Sequence, residues 1–155
     1  MALSEGEKIP DIDLTTSSGG KVNLRSYTGK PFVLYFYPKD DTSGCTREAQ
    51  DFSQHLKEFA TLDTAVLGVS KDPPIKHQKF IDKYDLTVPL ATDDDSNAME
   101  AFGVWVQKSM YGKTYMGIDR STFLFDAEGK LARSWRRVRV PGHAVEVLEA
   151  VRDLR

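Results

Sequence analysis

The chain has 155 residues, 40% of them hydrophobic, which suits one domain over residues 1–155, a size that buries roughly two-thirds of its unfolded surface. Lys plus Arg number 21 and Asp plus Glu 23, for a formal net charge of -2, so neither nucleic acid nor an anionic membrane is implied as a partner. There is no apolar run of about 18 residues, and the start MALSEGEKIP lacks the basic and then apolar segments of a secretory signal, so a soluble, cytoplasmic protein is expected. Cys45 is the single cysteine, which rules out an internal disulfide and fits a reducing compartment.

In chain order, residues 12–24 form two short segments around Ser17, Ser18, Gly19 and Gly20, a turn composition that predicts a leading hairpin. Residues 32–37 are all apolar or aromatic and lie between Pro31 and Pro38, as expected of a central strand buried on both faces. After a polar loop, Cys45, Ala49, Phe52, Leu56 and Phe59 recur at spacings of four and three, one face of a helix whose inward stripe begins at the cysteine. Residues 64–69 read as a second buried strand. Asp72 and Pro73 then open a helix by capping and first-turn preferences, and it runs to about Tyr84.

A short strand at 88–91 precedes Asp93, Asp94, Asp95 and Ser96, read as a solvated helix start because the alternation and distal Glu of a calcium loop are missing. The stretch from there to Gly117 reads as loop-rich. Residues 122–125 and 130–135 flank the turn Asp126, Ala127, Glu128, Gly129 and predict a hairpin. A last helix follows Pro141 and Gly142, with Ala144, Leu148, Val151 and Leu154 as its apolar face. The order βαβ, irregular segment, ββα predicts an α/β sandwich with a mixed central sheet flanked by helices, and a thioredoxin-like fold is the natural candidate.

Thr42 or Ser43 is positioned to cap the helix that carries Cys45. With Thr42 as the cap, Cys45 occupies the third helical position, where free backbone amides and the helix dipole stabilise an anion. That favours a reactive cysteine over an inert, buried one.

The segment YFYPKDDTSGCTREAQDF resembles the active-site segment of peroxiredoxins of the bacterioferritin comigratory protein type, also called the Q type. Pro38, Thr42 and Cys45 match that family's PxxxTxxC signature, Glu48 and Phe52 match the continuing helix, and Arg120 in KSMYGKTYMGIDRSTFLFD falls at its active-site arginine. The resemblance covers nearly the whole chain. It implies a thioredoxin fold with an N-terminal hairpin extension and a thiol peroxidase that uses no cofactor and no metal. Cys45 would attack a hydroperoxide to give a sulfenic acid. Arg120, the Thr42 hydroxyl and the amides of Gly44 and Cys45 would hold the peroxide, and Pro38 would shape the loop and shield the sulfur. Thioredoxin, glutaredoxin or glutathione would be the reductant of a monomer or weak homodimer.

Two departures from the family matter. Gln50 stands where many members carry a second cysteine, and the helix after residue 73 has none, so the sulfenic acid must be reduced by an external thiol or through an intermolecular disulfide. Ser43 stands where the family usually has proline, which loosens the loop before the nucleophile. A redox sensor with a slow thiol is the alternative to a peroxidase.

The remaining signals read as surface features. His55, His77 and His143 lie far apart without metal-ligand spacing and are expected on the surface. Arg133, Arg136, Arg137 and Arg139 read as a solvated strand and turn. Tyr111 and Tyr115 fit either an entrance lining or packing.

Overall fold

In the computed structural model, which describes residues 3–95 and 97–154, the strands order as β2-β1-β5-β4-β3-β8-β9 in one seven-stranded sheet. The ranges are β1 Asp13–Thr16, β2 Lys21–Asn23, β3 Phe32–Phe36, β4 Ala65–Ser70, β5 Leu90–Thr92, β8 Ser121–Phe125 and β9 Leu131–Trp135. β3, β4 and β5 run parallel, whereas β1 on β5, β8 on β3 and β9 on β8 are antiparallel, so the sheet is mixed as expected. The leading hairpin extends the sheet beyond β5.

The all-apolar sequence of β3 is explained by its central place. Val33 and Tyr35 enter one core with Cys45, Ala49, Phe52, Phe59 and Phe80, and with Ala144, Val147, Leu148 and Val151. Phe32, Leu34 and Phe36 enter the other, with Leu14, Leu24, Met99, Phe102 and Phe123. The two-residue period of a strand divides consecutive side chains between these layers. The first core is covered by the helices α1 Ser43–Gln54, α2 Leu56–Thr61, α3 Pro74–Tyr84 and α5 His143–Asp153; the second includes α4 Asn97–Phe102.

Several expectations are corrected. The loop-rich middle contains a second, two-stranded sheet of β6 Trp105–Met110 and β7 Lys113–Ile118. Tyr111 at φ 53 and Gly112 at φ 77 close it, two successive left-handed residues as a tight hairpin turn requires. Tyr111 is 97% exposed and Tyr115 45%, so neither packs in a core. The helical stripe from Cys45 to Phe59 is broken at His55, where α1 ends and α2 begins. Pro73 rather than Asp72 stands at the N-cap of α3, because the Asp72 carboxylate is turned inward to accept from Ser70 Oγ and the Asp40 amide.

Asp93 is buried, not solvated. Its carboxylate accepts from the Met99 amide, and burial raises its pKa; Ser96 lies outside the described residues. In α5 Ala144, Leu148 and Val151 are buried as expected and Val147 joins them, while Leu154 is 39% exposed at the C-cap. His77 and His143 are not surface residues: they are 0% and 4% exposed. Among the described residues no helix is long and apolar enough to cross a membrane.

Candidate active site

β3 delivers the chain through Tyr37 and the 38–42 loop into α1, so the start of α1 lies at the C-terminal end of the central strand. Thr42 is at the N-cap position, with extended backbone, and its carbonyl accepts from the Thr46 amide at 2.8 Å. Its hydroxyl does not cap the helix as expected; it donates to Lys39 O at 2.8 Å. Ser43 and Gly44 fill the first two helical positions and Cys45 the third, so their amides precede the first intrahelical bond. Pro38 and Thr42 are exposed, whereas Cys45 is 1% exposed.

Arg120 stands immediately before the neighbouring strand β8. Phe36 pairs with Ser121 in the antiparallel β3–β8 register, which sets Arg120 beside the end of β3, and the Val138 amide fixes its carbonyl at 2.9 Å. Its Nη2 donates to Cys45 Sγ at 3.2 Å, and its Nη1 donates to Glu48 Oε1 at 2.7 Å. Gly44 permits this approach, because a Cβ there would lie 3.2 Å from Nη2. A guanidinium is permanently charged, so the hydrogen bond it gives the sulfur is a charge-assisted one.

Glu48 is the residue that sequence reasoning passed over as an ordinary helix position. It is 1% exposed, three residues after Cys45 on the apolar face of α1, and a carboxylate in that stripe is the signal that marks it. Burial pushes its pKa up to about 7 despite the Arg120 charge beside it. Its Oε2 has no hydrogen-bond partner among the described residues, and neither does the buried Tyr35 hydroxyl. Burial also raises Tyr35 well above the usual tyrosine range, and the charges of Glu48 and Cys45 add to the effect.

His143 is buried at the start of α5. Its Nε2 lies 2.8 Å from Thr122 Oγ1, its ring meets Phe52 and Trp135 edge to face, and burial lowers its pKa to about 4, with a smaller contribution from Arg120. Four of the five residues singled out for the site are thus assembled at one helix start, with Arg120 brought across from the connection that enters β8. Pro38 stands exposed at the head of the loop.

A helix-start thiol beside a mixed sheet, faced by a guanidinium from the entry to the adjacent strand, defines a thioredoxin-like thiol protein. The AhpC/TSA family model matches residues 6–134. Peroxiredoxin Bcp of Bacillus subtilis is 48% identical over 154 residues, covering 99% of this chain and 98% of that protein. Among solved structures, Xylella fastidiosa PrxQ superposes with a TM-score of 0.93 at 37% identity, covering 99% of this chain and 98% of that one. The Xanthomonas campestris bacterioferritin comigratory protein, which has alkyl peroxide reduction activity, gives 0.90 at 41% identity, with coverage of 97% of this chain and 98% of that one. The chain belongs to the AhpC/TSA family and, within it, to the peroxiredoxins of the bacterioferritin comigratory protein or Q type. It is a thiol-dependent peroxidase with peroxide substrates and thiol reductants, and its one cysteine leaves it without a resolving partner.

Proposed function

We propose that Cys45 is the peroxidatic nucleophile and that hydrogen peroxide and small organic hydroperoxides are its substrates. The sulfur attacks one peroxide oxygen; an S–O bond forms, the O–O bond breaks, and the departing oxygen takes a proton and leaves as water or alcohol. Cys45 is left as a sulfenic acid. One external thiol displaces water to give a mixed disulfide, and a second thiol releases Cys45 and carries away the disulfide. No second cysteine is available to intercept the sulfenic acid.

The observation that carries this reading is the 3.2 Å contact from Arg120 to the Cys45 sulfur at the first turn of a helix. Negative charge grows on both peroxide oxygens as the bond breaks, and fixed donors aimed at them lower the barrier. Arg120 supplies two such donors, the amides of Gly44 and Cys45 supply backbone donors, and the Thr42 hydroxyl supplies a further polar group. Pro38 sets the direction of the loop. Glu48 holds the other terminal nitrogen of Arg120 and so orients the guanidinium.

The alkyl peroxide activity of the Xanthomonas campestris relative supports organic hydroperoxides as substrates. Thioredoxin, glutaredoxin or glutathione, acting on a cytoplasmic monomer or weak homodimer covering residues 1–155 as one domain, completes the reading. Stopped-flow mixing with hydrogen peroxide tests it: wild-type oxidation is expected to exceed that of free cysteine by several powers of ten, and Cys45→Ser is expected to abolish turnover. Oxidation no faster than that of free cysteine would return the chain to the slow-sensor class.

A further inference from the structure

The most polar part of the interior outside the Cys45 cluster lies under the loop that leads into α1. Tyr37 Oη donates to Asp40 Oδ1 at 2.5 Å, His77 Nδ1 lies 2.7 Å from Asp40 Oδ2, and His77 Nε2 lies 3.0 Å from Ala91 O. Tyr37, Asp40 and His77 are all buried. The Asp40 amide donates to Asp72 Oδ2 at 2.8 Å, and Ser70 Oγ donates to that same oxygen.

A carbonyl only accepts, so Nε2 carries a proton toward Ala91. At 2.7 Å, Nδ1 and Asp40 Oδ2 form a hydrogen bond, which needs a proton between them. Charged and polar groups of this kind are costly to bury, and well-packed apolar side chains often stabilise a fold equally well. What the network supplies is a defined position for the loop.

The loop is held at successive residues. Asp41, with a left-handed φ of 60, accepts from Lys83 Nζ at 2.8 Å and from Tyr84 Oη at 2.6 Å. Three side chains of α3 therefore fasten two adjacent carboxylates just ahead of Thr42. The Tyr37 ring lies 5.7 Å from that of Tyr35, within the core cluster that contains Cys45. The Cys45 sulfur, on a residue 1% exposed, must be uncovered before any external thiol can attack it in line.

We infer that His77 is a positioning residue for the chemistry at Cys45: through the proton it shares with Asp40 it latches the 38–42 loop to α3. The latch holds the sulfur against Arg120 for the peroxide step and sets how often the sulfur is uncovered for the thiol step. The inference deepens the proposed function and rests on Cys45 being the nucleophile.

The test uses two variants and two rates. His77→Phe keeps a flat ring of similar volume without donors, and His77→Asn keeps an N–H toward Asp40. Oxidation of Cys45 by hydrogen peroxide is followed by stopped flow, and labelling of the reduced thiol by a bulky maleimide reports its uncovering. In His77→Phe, oxidation is expected to slow by about tenfold to a hundredfold while labelling accelerates by about tenfold, with His77→Asn between it and the wild type in both rates. Slower oxidation with unchanged labelling, or identical behaviour of the two variants, overturns the latch.

Native-state hydrogen exchange on the wild-type protein gives an answer even if His77→Phe does not fold. The amides of Asp40 and Thr46 are expected to open together, and Thr46 opening while Asp40 stays protected overturns the inference. Turnover retained by Cys45→Ser would instead count against the nucleophile, leaving the exchange result intact, so the two failures are distinguishable.

Discussion

Two buried polar clusters sit close to the same loop and differ in how completely they are satisfied. Around Asp40, both carboxylate oxygens, the backbone amide and both nitrogens of His77 have partners. Around Arg120, the guanidinium reaches Cys45 and Glu48, yet Glu48 Oε2 and the Tyr35 hydroxyl have none among the described residues. A saturated network fixes geometry. One with unused acceptor capacity and a carboxyl pushed to about 7 has the perturbed electrostatics that cluster at functional sites.

The comparison is most directly broken at Arg120. Arg120→Met removes the partner of a buried carboxyl, which then stays protonated and loses its hydrogen bond, so stability is expected to fall by about 1–3 kcal/mol in urea denaturation. Peroxide oxidation is expected to fall by about two to three powers of ten, as for loss of a preorganised donor. Adding Glu48→Gln to that variant is expected to recover much of the stability and none of the rate. Recovery of the rate as well would mean that the guanidinium acts only on Glu48.

The pH dependence sharpens the comparison next. The Glu48 pKa is raised by burial from 4.5 to about 7, so the folded state holds a proton that the unfolded state has lost. Its contribution to stability is fully present below pH 4.5 and is lost as pH rises toward 7. His143 works in the opposite direction: its pKa is lowered by burial from 6.5 to about 4, so its contribution is present above 6.5 and lost as pH falls toward 4. The two slopes oppose each other between about 4.5 and 6.5. Relative to Glu48→Gln, the wild type is expected to lose on the order of 3 kcal/mol between pH 4.5 and 7, read from denaturation midpoints across that range. A flat difference would show that the Glu48 carboxyl is ionised throughout.

The smallest effect is expected outside both clusters. Gly112→Ala forces a side chain into the left-handed turn of the β6–β7 hairpin and is expected to cost about 1 kcal/mol, measured by thermal melting, with an unchanged oxidation rate. A slower rate in that variant would tie the hairpin to the site.

Much of this architecture was legible locally. The unbroken run of β3, the stripe from Cys45 to Phe52, and the Asp126 turn whose carboxylate accepts from the amides of Glu128 and Lys130 all follow from periodicity and turn chemistry. The β6–β7 hairpin was not, because Gln107, Lys108, Ser109 and Thr114 put polar side chains on its strands and leave no apolar alternation to read. The buried histidines were missed for a related reason. An imidazole has no preferred layer until a specific acceptor is supplied, and for His77 those acceptors come from β5 and from the loop after β3.

The sequence by itself determined that the only thiol would stand in the first turn of a helix after a buried strand, because helix phase and free first-turn amides are properties of a few neighbouring residues. Tertiary structure decided which charges meet that thiol. Arg120 and Glu48 are separated by 72 positions, and Arg120 and Cys45 by 75, so the β3–β8 register rather than any local pattern brings them together. It also decided which polar groups would be buried with their partners, since pairing across the fold compensates for the water that each group gives up.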